Sequence, residues 1–177
     1  DRFTLCHVGM FAPVKNHEFL IDIFASVVKK HQDSVLLLVG TGSEEEKIRG
    51  KVSMLGLSEK VIFAGRRTDV EKIMSAADAF VLPSHFEGLP LVLVEAQSSG
   101  LNCFVSDAVP EEAKLLDNLE FISLDIGADA WANRVVSAAL NPNRASASAV
   151  VAAAGYDCKL TAARIEEIYS QQIALCL

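Results

Sequence analysis

Short apolar runs alternate with stretches of helical periodicity along almost the whole chain, and few folds accommodate that order. Residues 4–8 read as a strand that stops at Gly9, and residues 18–30 as a helix with Leu20, Ile23, Phe24 and Val27 on one face. Residues 35–39 run Val-Leu-Leu-Leu-Val, the continuous pattern of a strand buried on both faces. Gly40-Thr41-Gly42-Ser43 ends that run, with Ser43 expected to cap a helix from Glu44 whose first-turn acids suit the helix dipole. Residues 61–64 give a third strand, 70–76 a short helix, and 79–82 a fourth strand ending at Pro83. Residues 89–99 read as a helix that opens with Pro90 and stops at Gly100. Residues 102–105 and 120–124 complete the strands. This order predicts an α/β fold with a mostly parallel sheet flanked by helices. Beyond Ile126 the pattern is helical: Trp131, Val135 and Ala138 share a face, 146–154 is Ala-rich, and 161–175 carries Ile165, Ile168, Tyr169 and Ile173. Asn141-Pro142-Asn143 and Gly155-Tyr156-Asp157 are the expected turns of this helical C-terminal tail. No repeat or low-complexity linker divides the 177 residues, so one domain is expected.

Composition narrows the functional classes. Hydrophobic residues make up 51% of the chain and charged residues 22%, enough for a sizeable core and too apolar for disorder. The net charge of −7 supplies no general field for gathering phosphate backbones, so nucleic acid is not an expected partner. No apolar run is long enough to span a membrane as a helix. Cys6, Cys103, Cys158 and Cys176 are scattered without a C-x-x-C and read as thiols of a reducing compartment, neither a zinc site nor a disulfide frame. The chain opens on Asp1 with a strand almost at once, which reads as a piece cut from something longer.

In an open parallel sheet, ligands sit at the carboxyl ends of the strands. The richest such end is Pro83-Ser84-His85-Phe86-Glu87-Gly88-Leu89-Pro90, followed by Leu91-Val92-Leu93-Val94-Glu95-Ala96. A strand gives way to a Gly-bearing loop and then to a helix start, whose unbonded N–H groups and positive dipole end suit an anion. Gly88 admits a ligand close to the backbone. Glu95 has apolar neighbours, and a buried carboxylate there needs partners, such as the two vicinal hydroxyls of a ribose. The alternative makes Glu87 a solvated loop acid and pairs Glu95 with a basic side chain. His85 shares the loop with Glu87 and is a candidate for a sugar hydroxyl.

Two further strand ends carry positive charge. In Gly9-Met10-Phe11-Ala12-Pro13-Val14-Lys15-Asn16, Gly9 ends the strand and Lys15 is placed to swing over a phosphate, or else is a surface lysine. Arg66-Arg67-Thr68-Asp69 offers arginines that read a base edge or clamp a phosphate, with Asp69 expected to cap the next helix. Gly40-x-Gly42 lacks a third glycine at position 45, so a turn is expected there and not a dinucleotide loop. His7 reads as structural, and His17 and His31 as surface residues at helix ends.

Taken in order, these segments resemble the retaining, GT-B fold, family-4 glycosyltransferases, and the likeness covers most of the chain. Glu87 and Glu95, with seven residues between them, are similar to that family's E-x7-E segment. Gly9 with Lys15-Asn16-His17 resembles its first loop, Leu38-Val39-Gly40-x-Gly42 its second strand and turn, and Gly65 with Asp69-Val70 its third. Gly155-Tyr156 and the closing helix with Tyr169 resemble the tail of polysaccharide-assembly members.

The resemblance implies that this chain is one half of a GT-B fold, a Rossmann-like nucleotide-sugar domain, with an acceptor-binding N-terminal domain elsewhere. It places Glu95 on the ribose, Glu87 on the transferred sugar, the Gly88 and Leu89 amides on diphosphate or sugar oxygens, and Arg66 or Arg67 near the base. Pro90 has no N–H to offer. Gly9 and His85 line the same site, and Lys15 neutralises charge on the leaving diphosphate. The implied mechanism retains configuration and uses no metal or other cofactor, so Glu87 and Glu95 are not a glycosidase acid–nucleophile pair.

One departure stands out: the family carries Arg directly after the first-loop Gly, and here that residue is Met10. The expected function is therefore a glycosyltransferase donor domain that binds a UDP-sugar for a glycan or lipid-linked acceptor in surface polysaccharide synthesis, inactive without its other half. The expected location is cytoplasmic, with a peripheral place on the inner membrane face open to the full-length protein. The alternatives are a non-catalytic Rossmann-like nucleotide- or partner-binding module, which Met10 favours, and a sugar-nucleotide epimerase of related fold.

Overall fold

The computed structural model describes residues 2–139 and 147–175. Asp1, the turn at Asn141-Pro142-Asn143, the start of the 146–154 segment and Cys176 lie outside the described residues, as does the side chain of Ala138. The elements are β1 (Phe3–Val8), α1 (His17–Lys30), β2 (Ser34–Val39), α2 (Glu45–Met54), β3 (Val61–Phe63), α3 (Val70–Ala76), β4 (Ala79–Leu82), α4 (Leu91–Ser98), β5 (Asn102–Ser106), β6 (Leu119–Ile122), α5 (Ala128–Ala139), α6 (Ser148–Val151) and α7 (Cys158–Leu175).

The strands form a six-stranded sheet in the order β3-β2-β1-β4-β5-β6, and every pairing is parallel. The order reverses between β1 and β4, the switch point at which open parallel sheets carry their ligand crevice. Alternating side chains divide two cores across the sheet. Leu5, Leu36, Leu38, Val81 and Phe104 meet Leu20, Phe24 and Trp131 on one face. Cys6, Phe80, Leu82, Cys103 and Val105 meet Met74, Leu93 and Ala96 on the other. Trp131 donates its ring N–H to the Ser123 carbonyl at 2.9 Å and packs edge-on against Phe19, which joins α5 to α1. Burial on both faces is what the unbroken apolar runs demanded.

Three local expectations are corrected. Ser43 caps nothing: α2 starts at Glu45, and the Glu44 amide is bonded by the Phe11 carbonyl at 3.0 Å, so the first loop does a cap's work. Asp69 precedes α3 without a side-chain cap, because its carboxylate holds Arg67. Helix α4 begins at Leu91, later than expected, with Pro90 extended at φ −75° and ψ 99°; a residue before proline avoids the helical region, which removes Leu89 from the helix.

The C-terminal helix α7 forms, but its apolar residues Leu160, Ile165, Ile168, Tyr169 and Ile173 are exposed. Ahead of it the chain kinks at Gly155, where φ is 98°. Among the described residues no helix is long and apolar enough to cross a membrane. Cys6 and Cys103 are buried and Cys158 is exposed; burial pushes the Cys103 thiol well up.

Candidate functional site

The loop from Gly9 to Asn16 is built on the end of β2. The Gly9 amide donates to Val39 at 2.9 Å and the Phe11 amide to Thr41 at 3.1 Å. Two glycines make this approach possible. A Cβ on Gly40 would lie 2.0 Å from the Gly9 carbonyl oxygen, and one on Gly42 would lie 2.4 Å from that of Phe11. Gly40-x-Gly42 is thus a seat for backbone, in keeping with a turn and not a dinucleotide loop. The loop then turns through a short 3-10 segment, Pro13–Lys15, and Asn16 adopts a left-handed conformation (φ 53°) before α1.

Across the crevice runs the β4–α4 loop. The His85 amide donates to the Val14 carbonyl at 2.8 Å, and the Lys15 ammonium meets the Glu87 carboxylate at 2.6 Å. The second contact joins residues 72 positions apart. The side chains are 19% and 9% exposed, so the pair is well shielded from water.

The other predicted site residues divide. The amides of Gly88 and Leu89 make no hydrogen bond among the described residues, and both residues are exposed, though they precede α4 and are not its first turn. Glu95 lies on α4 with Leu93 and Val94 buried beside it, but is itself exposed; the expectation of a buried carboxylate does not hold. It makes no ion pair among the described residues, so a basic partner is also absent. Partial desolvation and the Glu71 carboxylate raise its pKa.

Arg66 is exposed, while Arg67 is held by both oxygens of Asp69 at 2.8 and 2.7 Å. His85 is exposed and lines a cavity of about 180 Å³ with Asn16, His17, Glu18, Glu44 and Lys47; neither Glu87 nor Glu95 lines it. Met10 is 65% exposed at the place where the resemblance puts Arg.

The sequence reading missed one feature, a buried histidine pair under the first loop. His7, fully buried, donates from Nδ1 to the Val81 carbonyl at 2.8 Å. His17 is 2% exposed and not at the surface: its ring stacks on Phe11 at 4.3 Å and meets His7 edge-on at 4.6 Å. The spacing of His17 to Leu20, Ile21 and Phe24, all on the buried face of α1, was the available signal. Burial lowers the pKa of His7 to about 4, against the Val81 hydrogen bond and with help from Lys15. Burial, His7 and Lys15 lower that of His17 to about 3. Both rings are therefore neutral, and Lys15 alone brings positive charge to this loop.

Known proteins resemble this chain in sequence and in fold. The chain is 34% identical over 173 residues to EpsF of Bacillus subtilis (strain 168), covering 96% of this chain and 45% of EpsF. It is 34% identical over 110 residues to the UDP-Gal:alpha-D-GlcNAc-diphosphoundecaprenol alpha-1,3-galactosyltransferase of Escherichia coli, covering 60% of this chain and 28% of that enzyme. Its fold matches that of HepE from Anabaena, solved in complex with UDP and glucose, with a TM-score of 0.80 at 22% identity over 96% of this chain and 48% of HepE. The chain spans less than half the length of these relatives. The six-stranded parallel sheet is in keeping with the match of residues 1–151 to the glycosyl transferases group 1 family, and the chain belongs to this family of glycosyltransferases.

Proposed function

We propose that this chain is the donor half of a sugar transferase, binding a nucleoside diphosphate sugar, a UDP-sugar by preference, in the crevice between β1 and β4. The observation that carries this is the Lys15–Glu87 pair across the two loops, next in sequence to the Gly88 and Leu89 amides, which make no hydrogen bond among the described residues, with Glu95 on the adjoining helix making no ion pair among them. Glu95 takes the ribose hydroxyls, Glu87 the transferred sugar, and the Gly88 and Leu89 amides the diphosphate or sugar oxygens. Arg66 is the arginine left to the base, since Arg67 is engaged by Asp69. Lys15 neutralises charge on the departing diphosphate, an interaction strongest in the transition state. Transfer retains configuration, needs no metal, and uses an acceptor bound by a separate N-terminal domain. UDP in HepE and UDP-Gal in the name of the E. coli relative support the choice of nucleotide, and the polysaccharide and lipid-linked chemistry of such relatives supports a glycan or lipid-linked acceptor.

Calorimetry with UDP and GDP tests the reading: single-site binding of UDP by the folded chain, without transfer, is expected. A folded sample that binds no nucleoside diphosphate counts against it. Glu95→Ala should weaken UDP binding roughly tenfold or more, the worth of hydrogen bonds to a charged group. Unchanged affinity removes Glu95 from the ribose.

Gly88→Ala separates ligand from fold. Nothing lies within 4 Å of a Cβ at Gly88, so the variant should melt like the parent chain. A weaker Kd for UDP would then report close approach of the ligand to that backbone, and equal affinity would take Gly88 out of the site.

A second reading, a non-catalytic nucleotide-binding module, is favoured by Met10, an exposed apolar side chain where the family carries a cation. Transfer by the full-length protein, with its acceptor domain, decides between the two.

A further inference from the structure

The Lys15 ammonium and the Glu87 carboxylate satisfy one another at 2.6 Å, with side chains only 19% and 9% exposed. Lys15 is the one basic residue between Gly9 and Asn16, and Met10 adds no second charge. A diphosphate entering the crevice thus finds the cation of the first loop already engaged. Drawing Lys15 away leaves a largely buried carboxylate without its counter-charge and beside an incoming anion, and both consequences oppose binding. The His85–Val14 hydrogen bond ties the two loops at the backbone, so the exchange is confined to the side chains. An ionised carboxylate only accepts hydrogen bonds, and a ligand that brings hydroxyl donors to Glu87 makes good what Lys15 withdraws.

We propose that Glu87 sets selectivity between loaded and spent nucleotide: it holds Lys15 so that a bare nucleoside diphosphate binds weakly, and a diphosphate carrying a hydroxyl-rich sugar releases it. This inference rests on the crevice being a nucleotide-sugar site, and it gives Glu87 a part before any chemistry. The same side chain that greets the sugar also hastens departure of the nucleotide left behind, because loss of the sugar returns Lys15 to Glu87.

The test is titration calorimetry of the 177-residue chain, of Glu87→Gln and of Glu87→Gln with Lys15→Met, against UDP, UDP-glucose, UDP-galactose and inorganic pyrophosphate. Glu87→Gln keeps the shape of the side chain, removes its charge and frees Lys15. UDP and pyrophosphate should bind Glu87→Gln roughly tenfold more tightly than the parent chain, the advantage of the sugar-bearing nucleotides over UDP should shrink, and Lys15→Met should abolish the gain. Equal or weaker binding of UDP and pyrophosphate by Glu87→Gln overturns the proposal. A gain for pyrophosphate with no nucleotide bound by either protein upholds the Lys15–Glu87 exchange and removes the nucleotide reading. No binding of any probe by either protein removes both.

Discussion

Acidification from pH 7 to about pH 4 is expected to take several kcal/mol from the stability of this fold, through two imidazoles. His7 and His17 titrate at about 4 and about 3 in the folded chain, against 6.5 when unfolded. The folded state thus keeps both rings neutral while the unfolded chain takes up protons, and stability falls wherever the unfolded state binds more of them. Their contribution is complete above pH 6.5 and drains as the pH drops toward the folded values. Each histidine accounts for about 1.4 kcal/mol per pH unit, so the loss is on the order of 3 kcal/mol for each by pH 4. Urea denaturation across this range, with ring-proton NMR of the folded chain, measures it. A His7 or His17 ring that titrates near 6.5 in the folded protein would contradict the assignment. Burial, the largest cause, sets the sign at His7; the Val81 hydrogen bond and Glu87 oppose it and Lys15 supports it.

Gly40→Ala should cost on the order of 3 kcal/mol or more and take the first loop with it. Two penalties coincide at Gly40. Its φ of 139° is one that side-chain-bearing residues rarely adopt, and the new Cβ would stand 2.0 Å from the Gly9 carbonyl oxygen and 2.9 Å from its carbon. Those atoms are backbone, so no rotamer change relieves the contact. Either the chain melts markedly earlier, or the loop lifts off β2 and carries Lys15 away from Glu87. UDP binding should fall in both cases. Gly88→Ala is the matched control, because nothing crowds that position. A Gly40→Ala chain with the parent's melting temperature and affinity would mean that the loop is not seated on Gly40.

The sheet was legible because burial on both faces writes itself as unbroken apolar runs. Residues 35–39 and 79–82 could be nothing else, and both lie in the two central pairings with β1. The helices were legible from periodicity, their ends less so. At Ser43 a tertiary contact from Phe11 replaced the local cap, and at Asp69 a neighbouring arginine outcompeted the helix amides. Propensity describes a residue beside its neighbours in sequence, and these were decided by neighbours in space.

The candidate site divides between residue types that the sequence shows and contacts that it does not. The residue types of Lys15, Glu87 and Glu95 suggested a phosphorylated ligand, but the Lys15–Glu87 bond depends on the sheet order that sets β1 beside β4. His17 was misread because a polar residue at a helix start is ordinarily solvated. Here Phe11 offers it a ring face under the loop.

The pairing of β1 with β4 ends early, at Leu5 with Ala79 and Cys6 with Phe80. At the next position no ladder rung forms, and the His7 imidazole spans the gap to the Val81 carbonyl instead. A carbonyl oxygen can only accept, so the ring hydrogen is fixed on Nδ1. A buried side chain thus does the work of a backbone rung between β1 and β4. A residue at position 7 with no ring N–H would leave the Val81 carbonyl without that bond, at the strand end from which the first loop departs.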